Sequence, residues 1–200
     1  MPKARHPHRG SMQFWPRKRA KASLARVRSW AAEKQAKPLG FICYKAGMTH
    51  LQVVDNHPKS LTKGENIALA STILDCPPMI VVGVSFYKNS DSGLKKSNSI
   101  LSEKLSKELG RKVQLPKKTV KKLADVKEFD DLRLLVHTQP SLVSIGTKKP
   151  KLLEIALGGE KEEKLNYVKE VLGKEIKVSD VFDSGNSVDV HGITKGKGFQ

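Results

Sequence analysis

The sequence predicts a mainly β protein with helical insertions, of the α+β class, in which the sheet closes into a β-barrel. From Leu39 onward, short runs rich in β-branched residues alternate with turn residues, which is typical of a sheet that folds back on itself. Between Lys88 and Asp131 the sequence becomes polar and lysine-rich, with helical spacing of its apolar residues. A basic N-terminal arm precedes both regions. Closure is favoured because it removes free strand edges, and a two-sheet sandwich is the alternative.

Eight segments have the composition of strands. They are residues 39–44, 51–54, 67–74, 79–86, 132–138, 152–157, 176–178 and 188–193. Pro77 and Pro78 lack the N–H groups that a central strand needs, so they predict a turn. Residues 45–49 join two apolar runs and contain Gly47, which is free to adopt a positive φ, so they predict a hairpin loop.

Three helices are predicted. The first has an apolar stripe formed by Ile100, Leu101, Leu105 and Leu109. Ser99 is placed to cap its start and Gly110 to end it in a left-handed conformation. A second, weaker helix covers residues 120–126. A third covers residues 162–172, with Gly173 just past its end.

Positive charge is concentrated at the N-terminus. The chain has a formal net charge of +17, and residues 1–37 hold eleven lysines and arginines against one acid, which leaves +7 for the other 163 residues. Clustered cations bind polyanions because they displace condensed counterions from phosphates. A disordered solubilising tail is the alternative, but such a tail has no need for Phe14, Trp15 and Trp30 among its arginines.

Membrane and export functions are not predicted. No run reaches the roughly 18–20 apolar residues that a membrane span needs, and the N-terminus lacks a secretory apolar core. A mitochondrial transit peptide is the alternative for an arginine-rich start, but Pro2, Pro7, Gly10 and Pro16 interrupt an amphipathic helix there. We therefore expect a cytoplasmic protein.

The sequence offers no catalytic or metal-binding pattern. Cys43 and Cys76 lack further ligands at zinc-site spacing and are interpreted as small buried residues in strands, while His6 and His8 have no third ligand nearby. His137 lies in an apolar run and is interpreted as a core or rim histidine. We expect no enzyme activity, no metal, no cofactor and no small-molecule substrate.

Residues 192–198 superficially match a phosphate-binding loop. A Walker A loop needs four residues between its first glycine and its Gly-Lys pair, whereas three separate Gly192 from Gly196, and Gly198 follows Lys197. The interpretation is a flexible basic loop whose glycines let backbone N–H groups, Lys195 and Lys197 approach phosphates. A solvated linker is the alternative.

Several motifs together are similar to one known family. They are Gly-Ser-Met at 10–12 with Pro-Arg-Lys-Arg at 16–19, Tyr-Lys-Ala-Gly-Met-Thr-His at 44–50, Pro-Pro at 77–78 followed by Val-Val-Gly at 81–83, Leu-Val-His-Thr-Gln at 135–139, and Val-Asp-Val at 188–190 leading into Gly-Lys-Gly-Phe at 196–199. In these residues and their order, the chain resembles the ribosomal protein L-three family of archaeal and eukaryotic type. The resemblance spans essentially all 200 residues.

The resemblance implies a β-barrel seated on ribosomal RNA, an arm threaded among RNA helices and a finger that reaches toward the peptidyl-transferase centre. It implies three regions: an RNA-binding arm at 1–37, a barrel body at 38–191 with a helical insertion at about 88–131, and the start of a basic finger loop at 192–200. Family chains continue beyond Gln200, so we expect a partial chain.

The implied partners are large-subunit ribosomal RNA and neighbouring ribosomal proteins, with a role in subunit assembly and no membrane. Arginine side chains bind phosphates in two-point fashion, and Trp15 can stack on an unpaired base. The residues expected to bind RNA are Arg5, Arg9, Trp15, Arg17, Lys18, Arg19, Lys21, Arg26, Arg28, Lys45, Lys195 and Lys197. A transient translation or assembly factor is the alternative, and an enzyme acting on RNA has no candidate acid, base or metal site.

Overall fold

The computed structural model describes residues 20, 22–116, 123, 126 and 128–194. The chain divides into two units, residues 1–28 with 188–200 and residues 29–187. The described part of the first unit, residues 20, 22–28 and 188–194, contains no helix or strand. All strands and helices of the described residues lie in the second unit.

The second unit contains two separate antiparallel sheets. The strands are β1 (Tyr44–Val54), β2 (Asn66–Asp75), β3 (Met79–Ser90), β4 (Gly93–Leu101), β5 (Asp131–His137), β6 (Leu152–Ala156) and β7 (Glu175–Ile176). Strands β1 and β2 form a hairpin; the larger sheet has the order β4-β3-β5-β6, with β7 paired to the start of β3. The helices are α1 (Lys161–Val171) and the 3₁₀ helices Lys107–Arg111, Pro140–Leu142 and Val178–Asp180. The mainly β, α+β class is therefore confirmed, and the described strands form no closed barrel.

Strand β3 is the centre of the larger sheet because its β-branched, apolar sequence is buried on both faces from Val81 to Phe86. One core row crosses four strands in register, since Val84 pairs with both Ile100 and Leu134, and Leu134 pairs with Ile155. All four side chains are at most 3% exposed. This row holds β4 and β6 to the central pair by apolar burial.

Helix α1 contacts β5 and buries Val168 completely. Glu160 and Glu163 form a capping box at its start, and Gly173 adopts φ +78° just past its end. The helix predicted at 162–172 is confirmed to within a residue.

Residues preceding β1 line the outer edge of β6. The Leu39 N–H donates to the Ala156 carbonyl at 3.0 Å, and Pro38 forms a bridge with Leu157. A Cβ on Gly158 would lie 2.4 Å from the Gln35 carbonyl oxygen, so only glycine permits this close approach.

The predicted start of the sheet is wrong in two respects. Residues 39–43 are not a strand, and the segment 45–49, predicted as a hairpin loop, lies inside β1. The pairing with β2 shifts between Lys45 and Gly47, which marks a β-bulge, and Gly47 does not adopt a positive φ. The predicted strands 51–54 and 67–74 are confirmed within this longer hairpin.

The helix predicted from Ser99 to Gly110 is also wrong. Ile100 belongs to β4, where it packs across from Val84, and the helical part is limited to Lys107–Arg111. The polar region predicted as a helical insertion therefore begins as a β3–β4 hairpin. The weak helix predicted at 120–126 falls mostly outside the described residues.

Most remaining predictions of secondary structure are confirmed. Strands occur within or across the segments 79–86, 132–138 and 152–157, and Pro77 and Pro78 lie in the connection between β2 and β3. The segment 176–178 is a strand only at Ile176. Residues 188–193 are not a strand: they are exposed and have no pairing partner in the described part of the chain.

Candidate nucleic-acid interface

Three of the residues predicted to bind RNA are described. Arg26 and Arg28 are exposed in a segment of the first unit without helix or strand, and Lys45 is exposed in β1 of the second. The others lie outside the described residues, namely Arg5, Arg9, Trp15, Arg17, Lys18, Arg19, Lys21, Lys195 and Lys197. Their contacts with RNA remain a prediction.

Lys45 lies on a hairpin that is neutral and apolar. The hairpin and its loop, residues 44–75, contain three lysines and three acids. Its exposed apolar side chains are Met48, Leu51, Val53, Val54, Leu61, Leu69, Ile73 and Leu74. Such a surface suits contact with protein better than contact with a phosphate backbone.

The two cysteines meet at the base of this hairpin. Tyr44 pairs with Asp75, and Cys43 and Cys76 are the next residues outward on the two chains. Both are free and half-buried, and neither lies in a strand, so the prediction of buried strand cysteines is wrong. Burial raises the pKa of both thiols; a hydrogen bond with Cys76 opposes the rise at Cys43, and the charge of Asp75 adds to the rise at Cys76.

A polar network covers the face of the larger sheet opposite the core row. Glu154 on β6 accepts hydrogen bonds from Ser85 at 2.7 Å, from Lys96 at 2.8 Å and from the Tyr87 hydroxyl. Ser85 and Tyr87 lie on β3 and Lys96 on β4, so one carboxylate links three strands and spans β5. Arg133 on β5 completes the network with its guanidinium 4.6 Å from the centre of the Tyr87 ring.

The network also decides the ionisation of Glu154. Burial raises the pKa of this carboxyl, but the hydrogen bonds from Lys96, Tyr87 and Ser85 outweigh burial and leave the pKa below its ordinary value. Glu154 is therefore charged at neutral pH. Its charge is matched by Lys96, so this face offers little free positive charge to a polyanion.

His137 is completely buried, in agreement with its interpretation as a core or rim histidine. Its Nδ1 lies 2.9 Å from the Thr138 carbonyl oxygen, which can only accept, so Nδ1–H donates this hydrogen bond. Nε2 is buried and has no hydrogen-bond partner in the described structure.

Two groups of cations in the body bear on the binding of a polyanion. Four form ion pairs with acids, namely Lys88, Lys96, Arg133 and Lys164. The second group occupies residues 107–112 and 147–151, which we call the loop patch. These eleven residues contain six cations and one acid, Glu108, and none of the six forms an ion pair with a described residue.

The loop patch was missed by sequence reasoning. Its sequence signals are the runs Lys-Glu-Leu-Gly-Arg-Lys and Thr-Lys-Lys-Pro-Lys. Neither is basic enough alone to distinguish a binding surface from solvated charge. Their proximity follows from the fold, because the Arg111 guanidinium donates to the Lys148 carbonyl at 3.5 Å.

Within the described part of the chain, no three His, Cys, Asp or Glu side chains are grouped so that they could hold a metal ion. No helix there is long and apolar enough to cross a membrane.

The fold and its unpaired cations define a class: a basic, mainly β protein whose free positive charge suits a polyanion. Comparison with known proteins makes this specific. The family model described as Ribosomal protein L3 matches residues 1–200, and the chain belongs to that family.

Archaeal proteins named large ribosomal subunit protein uL3 are similar to the chain. The protein of Methanocaldococcus jannaschii is 45% identical over 201 residues, which cover 97% of this chain and 60% of that protein. That of Methanococcus maripaludis strain C7 is 43% identical over 204 residues, with 99% and 61% covered, and that of Archaeoglobus fulgidus is 41% identical over 203 residues with the same coverage. The chain thus spans about 60% of the length of the curated relatives it matches.

Proposed function

We propose that the chain is a structural constituent of the large ribosomal subunit, located in the cytoplasm, that binds ribosomal RNA and neighbouring ribosomal proteins and has no catalytic role. Membership of the L3 family carries this proposal. The charge distribution supports it, because eleven cations in the first 37 residues suit a phosphate backbone. The protein would support subunit assembly and the architecture near the peptidyl-transferase centre.

We further propose that residues 1–37 form a basic RNA-binding arm, residues 38–191 a body, and residues 192–200 the start of a basic finger loop. Exposure of Arg26 and Arg28 supports the arm, since both guanidinium groups are open to phosphate contact. The absence of regular structure in residues 22–28 is compatible with a segment that adapts to RNA.

The finer fold proposal is that both sheets belong to one β-barrel. Support comes from the exposed apolar side chains of the β1–β2 hairpin, including Met48, Leu51 and Ile73, which a closed barrel would cover. Nuclear Overhauser contacts between this hairpin and an edge strand of the larger sheet are the expected observation. A folded protein whose hairpin amides contact no other strand would leave two independent sheets.

The RNA proposal is tested by a salt series. Binding is measured to the folded 3′ region of large-subunit ribosomal RNA and to a structured RNA of equal length and unrelated sequence. A preference for the ribosomal RNA that persists as salt rises is expected, because shape recognition does not depend on counterion release alone. Equal affinities that fall together would indicate a general polyanion binder.

Replacement of Arg17, Lys18 and Arg19 by alanine tests the arm. Each lost phosphate contact lowers the salt slope by about 0.7–0.9, so about two units are expected for the triple variant. The matched control replaces Lys59, Lys169 and Lys174, three exposed lysines of the body, by alanine. If both variants bind alike, the arm is not the contact.

A transient translation or assembly factor is distinguished from a structural constituent by how readily it leaves the ribosomal subunit. A structural constituent stays with purified large subunits through a high-salt wash, whereas a factor dissociates.

A further inference from the structure

The loop patch combines two segments that the fold holds in place. On the first, the Ser106 hydroxyl accepts the Glu108 N–H at 3.3 Å and starts the 3₁₀ helix, while Leu109 is buried beneath it. Because the apolar anchor points inward, Lys107, Arg111 and Lys112 are left exposed. The cations are therefore carried on an anchored turn.

The second segment is held by its own lysine. Lys148 Nζ donates to the carbonyls of Val143 at 2.9 Å and Pro140 at 3.3 Å, which closes the loop after the 3₁₀ helix Pro140–Leu142. Hydrogen bonds between Thr138 and Lys151 fix the other end. Lys149, between these anchors, is exposed.

Charge on this surface is not neutralised by the protein itself. The patch carries a net charge of +5 in eleven residues, whereas the whole of residues 38–200 carries +7. Elsewhere on the body Lys88, Lys96 and Lys164 each lie 2.8 Å from a carboxylate oxygen. Like charges held together without counter-charges destabilise the free protein and favour an anionic partner.

The composition of the patch indicates which part of an RNA it would contact. Neither of its segments contains Phe, Tyr or Trp, so stacking of aromatic side chains on unpaired bases is not available. Lysine and arginine side chains on a rigid loop are suited to phosphate oxygens instead. The anchoring of both segments fixes the backbone that carries these charges before binding.

We propose that the loop patch is a second RNA contact of this protein, separate in sequence from the arm, which binds the phosphate backbone of structured RNA. The proposal rests on the proposed function and deepens it. It gives residues 107–112 and 147–151 the role of positioning the body on RNA, whereas neither segment reads base sequence.

The first test uses the wild-type chain. Lysines are acetylated with an N-hydroxysuccinimide ester, with and without the ribosomal RNA fragment, and modification is read by mass spectrometry. RNA is expected to protect Lys107, Lys112 and Lys149 at least about fivefold more than the control lysines, because phosphate contacts exclude the reagent. The control lysines are Lys59, Lys169 and Lys174. Equal protection of both sets would overturn the proposal.

The second test uses matched variants. Arg111, Lys112 and Lys149 are replaced together by glutamine, and the control replaces Lys59, Lys169 and Lys174 by glutamine. The patch variant is expected to lower the salt slope by about two to three units and to lose at least tenfold, roughly, in affinity near physiological salt. Identical binding of the two variants would overturn the proposal.

A charge-preserving variant guards against a folding defect. Arg111→Lys with Lys112→Arg and Lys149→Arg is expected to keep near wild-type affinity, because the charges remain; loss of affinity in this folded variant would contradict a phosphate contact. Protection of the patch lysines by polyglutamate as strong as that by RNA would point to an acidic protein partner and overturn the RNA assignment.

Failure of the loop patch and failure of the proposed function give different results. Lack of preference for ribosomal RNA in wild type refutes the ribosomal proposal, whereas unprotected patch lysines in a protein that does prefer ribosomal RNA refute the patch alone.

Discussion

Replacement of Glu154 by alanine tests whether one carboxylate holds the polar face of the larger sheet together. The change removes the acceptor for Ser85, Tyr87 and Lys96. Ser85 is completely buried, so its hydroxyl is left without a partner, which costs about 1–3 kcal/mol. Lys96 is 43% exposed and regains water, so it adds little.

With the weaker loss at Tyr87 included, the expected loss in free energy of unfolding is about 2–3 kcal/mol. For a chain of this size, that lowers the midpoint of thermal unfolding by about 4–12 °C. The assay is circular dichroism during heating at neutral pH. The matched control is Glu170→Ala, which removes an exposed glutamate of α1 and is expected to shift the midpoint by less than about 2 °C.

A second substitution tests whether the unpaired Ser85 hydroxyl causes the loss of stability. If the buried Ser85 hydroxyl causes the loss, Ser85→Ala should restore part of the stability of Glu154→Ala, since removal of both partners is nearly neutral. Equal midpoints for Glu154→Ala and Glu170→Ala would refute the reasoning, and so would an additive double variant.

Three further predictions concern pH, backbone approach and thiols. The pKa of Glu154 is lowered in the folded state, so its charge stabilises the protein above the unfolded-state pKa of about 4.3. The difference in free energy of unfolding between wild type and Glu154→Gln should therefore shrink as pH falls below that value. A difference that stays constant with pH in urea titrations would contradict this. Gly83→Ala would place a Cβ 2.2 Å from the Ile100 carbonyl oxygen, so urea denaturation should show a loss of about 3 kcal/mol or more, and wild-type stability would refute the contact. Alkylation of Cys43 and Cys76 by iodoacetamide should be slower at neutral pH than that of a free thiol, because burial raises both pKa values; a rate equal to that of glutathione would argue against it.

The β class could be predicted because it depends on local composition. The run Met79 to Phe86 contains three valines and an isoleucine, and such a segment favours a buried strand wherever it finds partners. Helix α1 was equally local, with its apolar face and Gly173 both visible in the sequence. These elements did not depend on contacts distant in the chain.

The β3–β4 hairpin was missed because two periodicities competed. Ile100 and Leu101, with Leu105 and Leu109, fit a helical stripe, yet Ile100 gains more by packing on Val84 across the strands. The signal that would have found it is Asp91-Ser92 before Gly93, which has φ +96°. Ser90 pairs with Gly93, so only two residues form the turn.

The same difference between local patterns and distant contacts applies to the candidate site. The cations of the arm are clustered within the first 37 residues, so the sequence predicts a basic arm. Most residues of the arm lie outside the described structure. The loop patch depends on the Arg111 contact with Lys148, 37 residues away, and no local pattern predicts that contact.

Net charge also overstates what the body offers to RNA unless pairing is known. Lys88, Lys96 and Lys164 are each held against a carboxylate, and a phosphate would have to compete with that partner. Lysines of the loop patch face no such competition in the described structure. Binding by the body should therefore follow the unpaired cations rather than the total count of lysines and arginines.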